Sequence, residues 1–270
     1  MLVKILIDNE TKNMLVPEWG LAVFIEFNGH RILLDTGSSG KFLQNAQDMG
    51  ADIGQVEFGV LSHAHYDHSD GMEAFFEKNE KAPFYLRKGS AENCWSGSGA
   101  DRHYIGIQKG ILKKYEDRIV YVEGDYEVIP GVNLIPHKTP GMEKIGRKAD
   151  MYLQIGGKWV TDSFAHEQSL VFDTEKGLVI FNSCSHGGAD NIIREVSETF
   201  PGKRIYALLG GFHLFKTADD EVYEFAERVK ATGIEKIYTG HCTGQRALEI
   251  LQEKLGDCVQ QIYTGMEIEL

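Results

Sequence analysis

The chain has 270 residues, of which 42% are hydrophobic and 25% are charged, so it can bury an ample core without disulfide bonds. Its formal net charge of −12 argues against a general nucleic-acid binder, which would carry a basic face, so we expect no nucleic-acid partner. No apolar run approaches the ~20 residues of a membrane span and no signal peptide is recognisable, so we expect a cytoplasmic protein without a membrane partner.

The first part of the chain alternates between predicted strands and helices. Apolar, β-branched runs bounded by Gly, Asn or Asp predict strands at VKILIDN, in LAVFIEFNGHRILLDTG, and at FGVLSH and APFYLRK. The second of these runs predicts a hairpin that turns at Asn28-Gly29, because Asn-Gly favours a two-residue turn. Helical spacing predicts helices over residues 39–50, which end in glycine, and over DGMEAFFEKN.

Residues 89–118 differ from their surroundings because they are rich in glycine, serine and charged residues. Long segments of this composition are commonly irregular and often carry function. We therefore predict a mobile excursion around 89–118, of the kind that forms a lid over a substrate.

The rest of the chain returns to regular elements. The predicted strands are RIVYVEG, VNLIPH, MYLQIGGKWV, SLVFDTEKGLVIFNS, RIYALLGG and EKIYTGH. Amphipathic helices are predicted at DNIIREVSETF, at DEVYEFAERVKATG and over residues 245–256. This alternation predicts an α/β protein with two packed sheets and helices outside, and no linker divides it, so we expect one domain over residues 1–270.

The four cysteines are too few and too scattered for a disulfide framework, so we expect reduced thiols. Cys242 stands beside a histidine and is interpreted as a small buried side chain rather than a metal ligand. Cys94 and Cys258 have no recognisable site context. Cys184 lies near other candidate ligands and is considered with them below.

One stretch, LSHAHYDHSDG at residues 61–71, carries the strongest chemical signal. On an extended segment His63 and His65 point to the same side, so both imidazoles can bind one ion. The turn that follows brings Asp67 and His68 round to a second ion. Imidazole nitrogen with carboxylate oxygen suits zinc, and manganese or iron are also compatible. We therefore predict two divalent metal ions, with zinc as the first choice; incidental surface histidines are the alternative.

The stretch LSHAHYDHSDG resembles the signature of the metallo-β-lactamase fold superfamily, and the resemblance covers nearly the whole chain. It implies a four-layer αββα sandwich of two mixed β-sheets flanked by helices. Asp35 in LLDTG resembles the family's aspartate that braces the histidine loop, with a turn or helix-cap aspartate as the alternative. His241 in YTGHCTG resembles the family's C-terminal histidine ligand.

Three later motifs, NSCSHGG, LGGFHL and TGHCTG, resemble one branch of this superfamily, the 7,8-dihydropterin-6-methyl-4-(β-D-ribofuranosyl)-aminobenzene-5′-phosphate synthases. The superfamily's usual middle histidine and bridging aspartate do not appear in their ordinary motifs. His186, in a small-residue turn after a strand, is the best candidate for the middle ligand, and His213 is the next. Asp162, His166 and Cys184 compete with them, and which residue bridges the metals stays open.

Two ions of this kind can bridge a water and lower its pKa, which predicts a hydrolase that attacks with a metal-activated hydroxide. Asp67 would be both a metal ligand and the residue that orients this nucleophile. His213 (or His186) would protonate the leaving group. Basic residues in 89–118 and in a second loop around 138–148 favour a small-molecule substrate with a phosphate or carboxylate, although solvated surface lysines explain each one singly. A homodimer is compatible with the sequence.

Three other functions stay open. The branch resemblance implies a synthase-type transferase, in which metals would stabilise a leaving pyrophosphate. The same fold carries iron-dependent redox enzymes, which tight iron binding with oxygen consumption would identify. A non-catalytic ligand-binding protein would have lost its metal ligands, whereas this chain keeps the cluster.

Overall fold

The computed structural model describes all 270 residues, and the chain divides into two compact units. The first unit comprises Met1–Glu123, Pro140–Glu167 and Thr264–Leu270, and the second comprises Gly124–Thr139 and Gln168–Tyr263. The expectation of a single domain over residues 1–270 stays a prediction.

Eighteen strands are present. In chain order they are β1 (Leu2–Ile7), β2 (Ala22–Phe27), β3 (His30–Leu34), β4 (Phe58–Val60), β5 (Phe84–Arg87), β6 (Cys94–Ser96), β7 (His103–Tyr104), β8 (Ile119–Val122), β9 (Tyr126–Ile129), β10 (Val132–Pro136), β11 (Met151–Ile155), β12 (Lys158–Thr161), β13 (Gln168–Thr174), β14 (Gly177–Phe181), β15 (Ile205–Leu209), β16 (Lys236–Thr239), β17 (Val259–Gln261) and β18 (Glu267–Glu269).

Eight α-helices accompany the strands, and five short 3-10 turns complete the regular structure. The helices are α1 (Lys41–Asp48), α2 (Tyr66–Ser69), α3 (Met72–Lys78), α4 (Ile111–Lys114), α5 (Met142–Lys148), α6 (Ala189–Thr199), α7 (Asp219–Ala231) and α8 (Gln245–Leu255). None of the eight combines the length and the apolar character that crossing a membrane requires.

The first unit contains a seven-stranded mixed sheet in the order β18-β1-β2-β3-β4-β5-β8. The strands from β3 to β8 in this order run parallel, and the others pair antiparallel. The predicted hairpin between β2 and β3 is confirmed, because Phe27 pairs with His30 across Asn28-Gly29. Both turn residues have positive φ, 50° and 86°, as the tight hairpin turn requires.

Helices α1 and α3 lie where the sequence predicts them and close one face of this sheet. Their apolar residues Phe42, Ala46, Met72, Phe75 and Phe76 are buried in a core shared with the strands. Helical spacing places these side chains on one stripe of each helix, so each helix turns its apolar side to this core.

Residues 89–118 are more ordered than the sequence predicts. Strands β6 and β7 belong to a four-stranded antiparallel sheet in the order β12-β11-β6-β7, and α4 follows them. The backbone N–H of Tyr66 donates to the Ile105 carbonyl at 2.9 Å, and His65 bridges to Gly106. This segment is therefore tied by backbone hydrogen bonds to the histidine loop, and its role as a lid stays a prediction.

The second unit contains a seven-stranded mixed sheet in the order β17-β16-β15-β14-β13-β10-β9. Strands β14 to β17 run parallel, and β13 and β10 add antiparallel. The predicted helices α6, α7 and α8 are confirmed and bury one face each, including Ile192, Phe225 and Leu251. The α/β class, with mixed sheets and helices packed on them, is thus confirmed.

Three sequence predictions need correction. The run SLVFDTEKGLVIFNS is not one strand but the two strands β13 and β14, which pair antiparallel. The run MYLQIGGKWV is not one strand but a hairpin, because Gly156 and Gly157 adopt positive φ of 55° and 78° between β11 and β12. The basic stretch around 138–148 is not a loop throughout, since residues 142–148 form α5. Met142 of this helix is buried against Phe164, which stabilises the helix through tertiary packing.

Glu195 on α6 clamps the segment that follows β10. Its buried carboxylate accepts hydrogen bonds from the Lys138 N–H (2.9 Å), the Thr139 N–H (2.7 Å) and the His137 ring (3.2 Å). Burial opposes the ionisation of Glu195, but these hydrogen bonds outweigh it and lower its pKa below the usual 4.5.

A carboxylate with a depressed pKa stabilises the fold above its unfolded pKa, and this contribution is lost as the pH falls through the folded pKa. Urea unfolding should therefore show a stability loss below about pH 4.5 that is smaller in Glu195→Gln than in wild type, together with lower stability of the variant at pH 7. Glu198→Gln, on the same helix but exposed, is the control. If the free energy of unfolding had the same pH dependence in wild type and in Glu195→Gln, the role of the Glu195 hydrogen bonds would be contradicted.

Candidate metal centre

The histidine cluster lies in the first unit, directly after β4 as predicted, and Asp67 and His68 belong to helix α2. His63, His65, Asp67 and His68 are all buried, with at most 7% of any residue exposed. The ring centroid of His63 lies 4.6 Å from that of His65 and 4.2 Å from that of His68. The structure therefore brings three imidazoles and the Asp67 carboxylate together, with Asp67 Oδ2 at 3.7 Å from His68 Nε2.

A buried aspartate braces this loop from the neighbouring strand. Asp35 follows β3, and its Oδ1 accepts the Ser62 N–H at 2.7 Å. Its Oδ2 accepts the Ser62 hydroxyl at 2.7 Å and lies 2.8 Å from His68 Nδ1. The Ser62 Oγ lies in turn 2.8 Å from His63 Nδ1. The structure places Asp35 as the family resemblance implies, and it adds Ser62, which sequence reasoning missed.

This hydrogen-bond chain determines the tautomers of two histidines. An ionised carboxylate can only accept, so His68 must donate from Nδ1–H to Asp35. The single Ser62 hydroxyl proton is directed to Asp35, so Ser62 must accept from the Nδ1–H of His63. Both rings therefore carry the lone pair on Nε2, the arrangement that metal-binding histidines adopt when a carboxylate orients them. Imidazole nitrogens with a carboxylate form a donor set that fits zinc, manganese or iron.

Asp162 and His166 form a second buried pair beside the loop. His166 Nε2 lies 3.0 Å from Asp162 Oδ2, and His166 Nδ1 accepts the Ala64 N–H at 3.1 Å. Since Nδ1 accepts, Nε2 must donate, and both ring nitrogens of His166 are engaged with the protein. Burial raises the pKa of Asp162, but His166 and His65 outweigh it and lower it to about 2. His166 therefore positions the backbone between the two loop histidines.

Cys94 on β6 lies beside the buried pair Asp162 and His166. The residues around Cys94 in the sequence gave no indication of a site. The donor atoms of His65, Cys94, Asp162 and His166 all lie within 4.8 Å of one another, and all four residues are buried. Strand β6 brings Cys94 there by pairing with β11, with Leu153 as the Cα partner of Cys94. No local sequence pattern predicts this pairing of β6 with β11.

Asp70, at the end of α2, was also not singled out from the sequence. Burial, followed by the charge of Asp67, raises its pKa to about 6, although a backbone hydrogen bond from Gln108 opposes the shift. Asp70 lines a cavity of about 560 Å³, together with Tyr66, Tyr104, Gln108, Lys109 and neighbouring residues. This cavity opens beside the helix that carries Asp67 and His68.

In the second unit, three loops follow the parallel strands β14, β15 and β16 and carry the remaining candidates. Ligands commonly bind at the carboxyl ends of such strands. Donor atoms of Cys184, His186 and His213 lie within 4.8 Å of one another, and the rings of His186 and His213 are 4.7 Å apart. The structure therefore brings together both histidines that the sequence proposes for the middle ligand, and it adds Cys184.

The third loop adds His241 and Cys242. The donor atoms of Cys184, His241 and Cys242 also lie within 4.8 Å of one another. Cys242 is buried as predicted, and its sulfur lies among these donor atoms. Burial opposes its ionisation, yet the hydrogen bond from Cys184 and the nearby His241 and His213 lower the pKa of Cys242 well below its usual value.

Backbone strain marks the same positions. Seven residues other than glycine have positive φ, and four of them are Asp35, Ser185, His213 and His241, with φ between 47° and 58°. Such conformations cost about 1–3 kcal/mol each and persist where the surroundings over-determine them, commonly at functional sites. The strain is therefore independent support for the candidate residues.

The motif LGGFHL needs its first glycine because β14 and β15 approach closely. A Cβ on Gly210 (φ +148°) would lie 1.9 Å from the Asn182 carbonyl oxygen. Gly210→Ala should lower the free energy of unfolding by more than the ~1–3 kcal/mol typical of φ strain alone. Gly202→Ala, with positive φ (+84°) but open space, is the control for φ strain in a comparison of urea midpoints. Equal losses in the two variants would contradict the steric argument.

Some of the basic residues in and beside 89–118 and 138–148 are paired within the protein. Four of the lysines form salt bridges: Lys88 with Glu123, Lys113 with Glu116, Lys114 with Glu73, and Lys138 with Asp125. Arg102 is different, since its guanidinium stacks over Trp159 at 3.9 Å and Tyr152 at 5.1 Å. Of these basic residues, Lys109 lines the cavity beside α2, and an anionic substrate stays a prediction.

Fold and site together define a class of protein. The family model of the metallo-β-lactamase superfamily matches residues 18–148, which include the whole histidine loop. The chain belongs to the metallo-β-lactamase superfamily. Members of this superfamily typically bind divalent metals, and the donor groups described above are consistent with that.

Individual relatives are similar over most of the chain. The crystal structure of Tm1679, a metal-dependent hydrolase of the β-lactamase superfamily, is 30% identical, covers 100% of this chain and 99% of its own, and has a TM-score of 0.85. The 7,8-dihydropterin-6-methyl-4-(β-D-ribofuranosyl)-aminobenzene-5′-phosphate synthase of Methanocaldococcus jannaschii is 26% identical over 94% of this chain and 91% of its own. An N-acyl homoserine lactonase of a Bacillus species is 29% identical over 44% of this chain and 46% of its own.

Proposed function

We propose that the protein is a metal-dependent hydrolase of small molecules, with His63, His65, Asp67 and His68 as metal ligands. The observation that carries this proposal is the chain from Asp35 through Ser62 to His63, with its branch to His68. A buried aspartate that orients two imidazoles through hydrogen bonds to their Nδ1 side has little purpose in packing. It is the arrangement that prepares histidines for a cation.

Divalent ions at such a centre supply Lewis acidity and an activated water, with zinc as our first choice of metal and two ions per chain as the expected number. The protein's own groups do the rest. Asp67 lies 3.7 Å from His68 Nε2 and can orient the attacking water by accepting its hydrogen bond. We assign His186 and His241 of the second unit as further ligands and His213 as the proton donor to the leaving group.

The cavity beside α2 supports a small substrate with an anionic group. Lys109 supplies positive charge at its rim, and its ammonium also lies 4.2 Å from the Tyr104 ring. Tyr66 and Tyr104 supply apolar surface for the rest of the molecule. The volume, about 560 Å³, suits a small molecule rather than a folded partner, which agrees with the proposal of neither a nucleic-acid nor a membrane partner.

A hydrolase must transfer an oxygen from water to its product. Zinc-loaded protein should therefore be screened against a p-nitrophenyl phosphodiester, an N-acyl homoserine lactone and a thioester in water enriched in ¹⁸O. We expect one of these to be cleaved with ¹⁸O in the product, and the cleavage to stop when a chelator removes the metal. Metal-loaded protein that cleaves none of the three would count against the hydrolase assignment.

A synthase-type transferase is the second candidate, and the 26% identity with the Methanocaldococcus enzyme over 94% of this chain favours it. A transferase joins two substrates and does not take up oxygen from water. Incubation of the metal-loaded protein with a ribose phosphate carrying pyrophosphate and an aminobenzoate should then release pyrophosphate only when both are present. Release without the second substrate, with ¹⁸O in the product, would indicate hydrolysis instead.

A further inference from the structure

Two cysteine side chains of the second unit are in direct contact. The sulfur atoms of Cys184, in the loop after β14, and Cys242, in the loop after β16, lie 3.4 Å apart. Both residues are buried, with 3% and 1% exposed. They are 58 positions apart in sequence, and the parallel strands bring their loops to the same edge of the sheet. All four cysteines of the protein are thiols in this structure.

The contact is close to what a disulfide needs. A disulfide has an S–S distance of about 2.05 Å, so the two sulfurs need to approach by only about 1.4 Å. The other cysteines have different neighbours, since the Cys258 sulfur contacts the Ile234 carbonyl oxygen at 3.6 Å and Cys94 lies in the first unit. One specific pair is therefore preorganised.

The surroundings also favour reaction at Cys242. Its sulfur accepts the backbone N–H of His213 at 3.2 Å, which stabilises negative charge on the sulfur during nucleophilic attack. Close packing limits other outcomes, because a Cβ on Gly211 would lie 2.5 Å from the same sulfur. The larger sulfinic acid fits this space poorly, whereas a bond to Cys184 needs no additional atoms.

We propose that Cys184 and Cys242 form a redox-active pair that closes to a disulfide under hydrogen peroxide. Peroxide oxidises the Cys242 thiol to a sulfenic acid and releases one water. The Cys184 sulfur then attacks the sulfenic sulfur, the S–S bond forms, and a second water leaves. The two thiols lose two electrons and two protons in total, and peroxide is reduced to two waters.

The disulfide would act on the candidate ligands beside it, and this step rests on the proposed function. Cys242 directly follows His241, and Cys184 precedes His186 by two residues. Closing the bond pulls the two loops together and moves both histidines, whose backbone positions are already constrained by positive φ at Ser185 and His241. Oxidation should therefore lower the protein's affinity for metal, and thiol reductants should restore it.

Trypsin digestion makes the bond directly observable. Cleavage after lysine and arginine places Cys184 in peptide 177–194 and Cys242 in peptide 237–246, while Cys94 and Cys258 fall in peptides 89–102 and 255–270. Full-length protein should be treated with peroxide over a time course, blocked with an alkylating agent, digested and analysed by mass spectrometry. We expect the linked pair 177–194/237–246, and its loss on treatment with dithiothreitol.

Variants and metal content complete the test. Cys242→Ser should abolish the linked pair, and Cys258→Ser should leave it intact. The proposal would be overturned if peptides 177–194 and 237–246 stayed separate and alkylated after peroxide. It would also be overturned if disulfide links to Cys94 or Cys258 formed in equal amount. Elemental analysis of the same samples tests the second step: peroxide should lower the metal content of wild type, whereas Cys184→Ser should carry the same metal content before and after peroxide, each sample being compared with its own untreated protein. A protein that binds no metal before oxidation contradicts the proposed function and leaves the thiol result standing.

Discussion

Replacing His65 by alanine should remove most of the bound metal and nearly all of the activity. Wild type purified without chelators should carry about two ions per chain, and the variant far fewer. A catalytic metal contributes several kcal/mol to transition-state stabilisation, which corresponds to a rate loss on the order of 10³-fold or more. Elemental mass spectrometry measures the metal, and the substrate found in the ¹⁸O screen measures the rate.

The His65 position suits this test because the backbone does not depend on the side chain. His65 is the N-cap of α2 in an extended conformation, and its side chain makes no capping hydrogen bond to the helix. Alanine adopts the same conformation, so the circular dichroism spectrum should be unchanged. His30→Ala, which removes an exposed hairpin histidine paired with Glu57, is the control and should keep its metal. Full metal content in His65→Ala would refute the assignment.

Local patterns predicted the elements that carry the site. The Asn28-Gly29 turn and the buried strand FGV followed by the histidine loop depend on residues within a few positions of one another, so the sequence shows them directly. The same holds for α6, α7 and α8, whose apolar stripes are strong. The family resemblance supplied Asp35 and His241, which no local pattern would have identified as site residues.

The contacts that complete the site are long-range, and for that reason the sequence did not reveal them. His166 bonds to Ala64 across 102 positions, and Cys94 reaches the same group through the pairing of β6 with β11. Strand β6 has three residues and β7 has two, too short for any periodic pattern to develop. The prediction of a mobile lid was therefore based on the glycine and serine residues around β6 and β7.

Two features that the sequence did not reveal, helix α5 and the contact between Cys184 and Cys242, share one physical cause, which is tertiary packing. Residues 142–148 are rich in charge and were predicted as loop, yet they form α5 because Met142 buries against Phe164. The sequence predicts Cys242 as an ordinary buried residue. In the structure the loop after β14 brings the Cys184 sulfur within 3.4 Å of the Cys242 sulfur. Sheet topology, rather than composition, creates both of these contacts.

Asp35→Asn should lower metal affinity about 10- to 100-fold without unfolding the protein. The carboxylate accepts three hydrogen bonds, two from Ser62 and one from His68 Nδ1–H. An asparagine amide can replace only one carboxylate oxygen as an acceptor, so its NH₂ group must face a donor. If the NH₂ faces His68, the proton moves to Nε2, where it blocks the nitrogen that binds metal. If it faces Ser62 N–H, two donors oppose each other in a buried site.

The backbone makes this substitution unusually clean, because Asp35 has a φ of +58° and asparagine tolerates that conformation at least as well as aspartate. Ser62→Ala separates the contributions of the two histidines to metal affinity. It removes the hydrogen bond to His63 but keeps the bond between Asp35 and His68, so it should weaken metal binding less than Asp35→Asn. Asp52→Asn, which changes an aspartate that accepts the Gly54 N–H away from the site, is the control. Zinc titration against a competing chelator measures all three variants. If Asp35→Asn bound zinc with wild-type affinity, the aspartate would only brace the fold. A larger loss of zinc affinity in Asp35→Asn than in Ser62→Ala, with the affinity of Asp52→Asn unchanged, would establish that the charge of Asp35 sets the histidine tautomers.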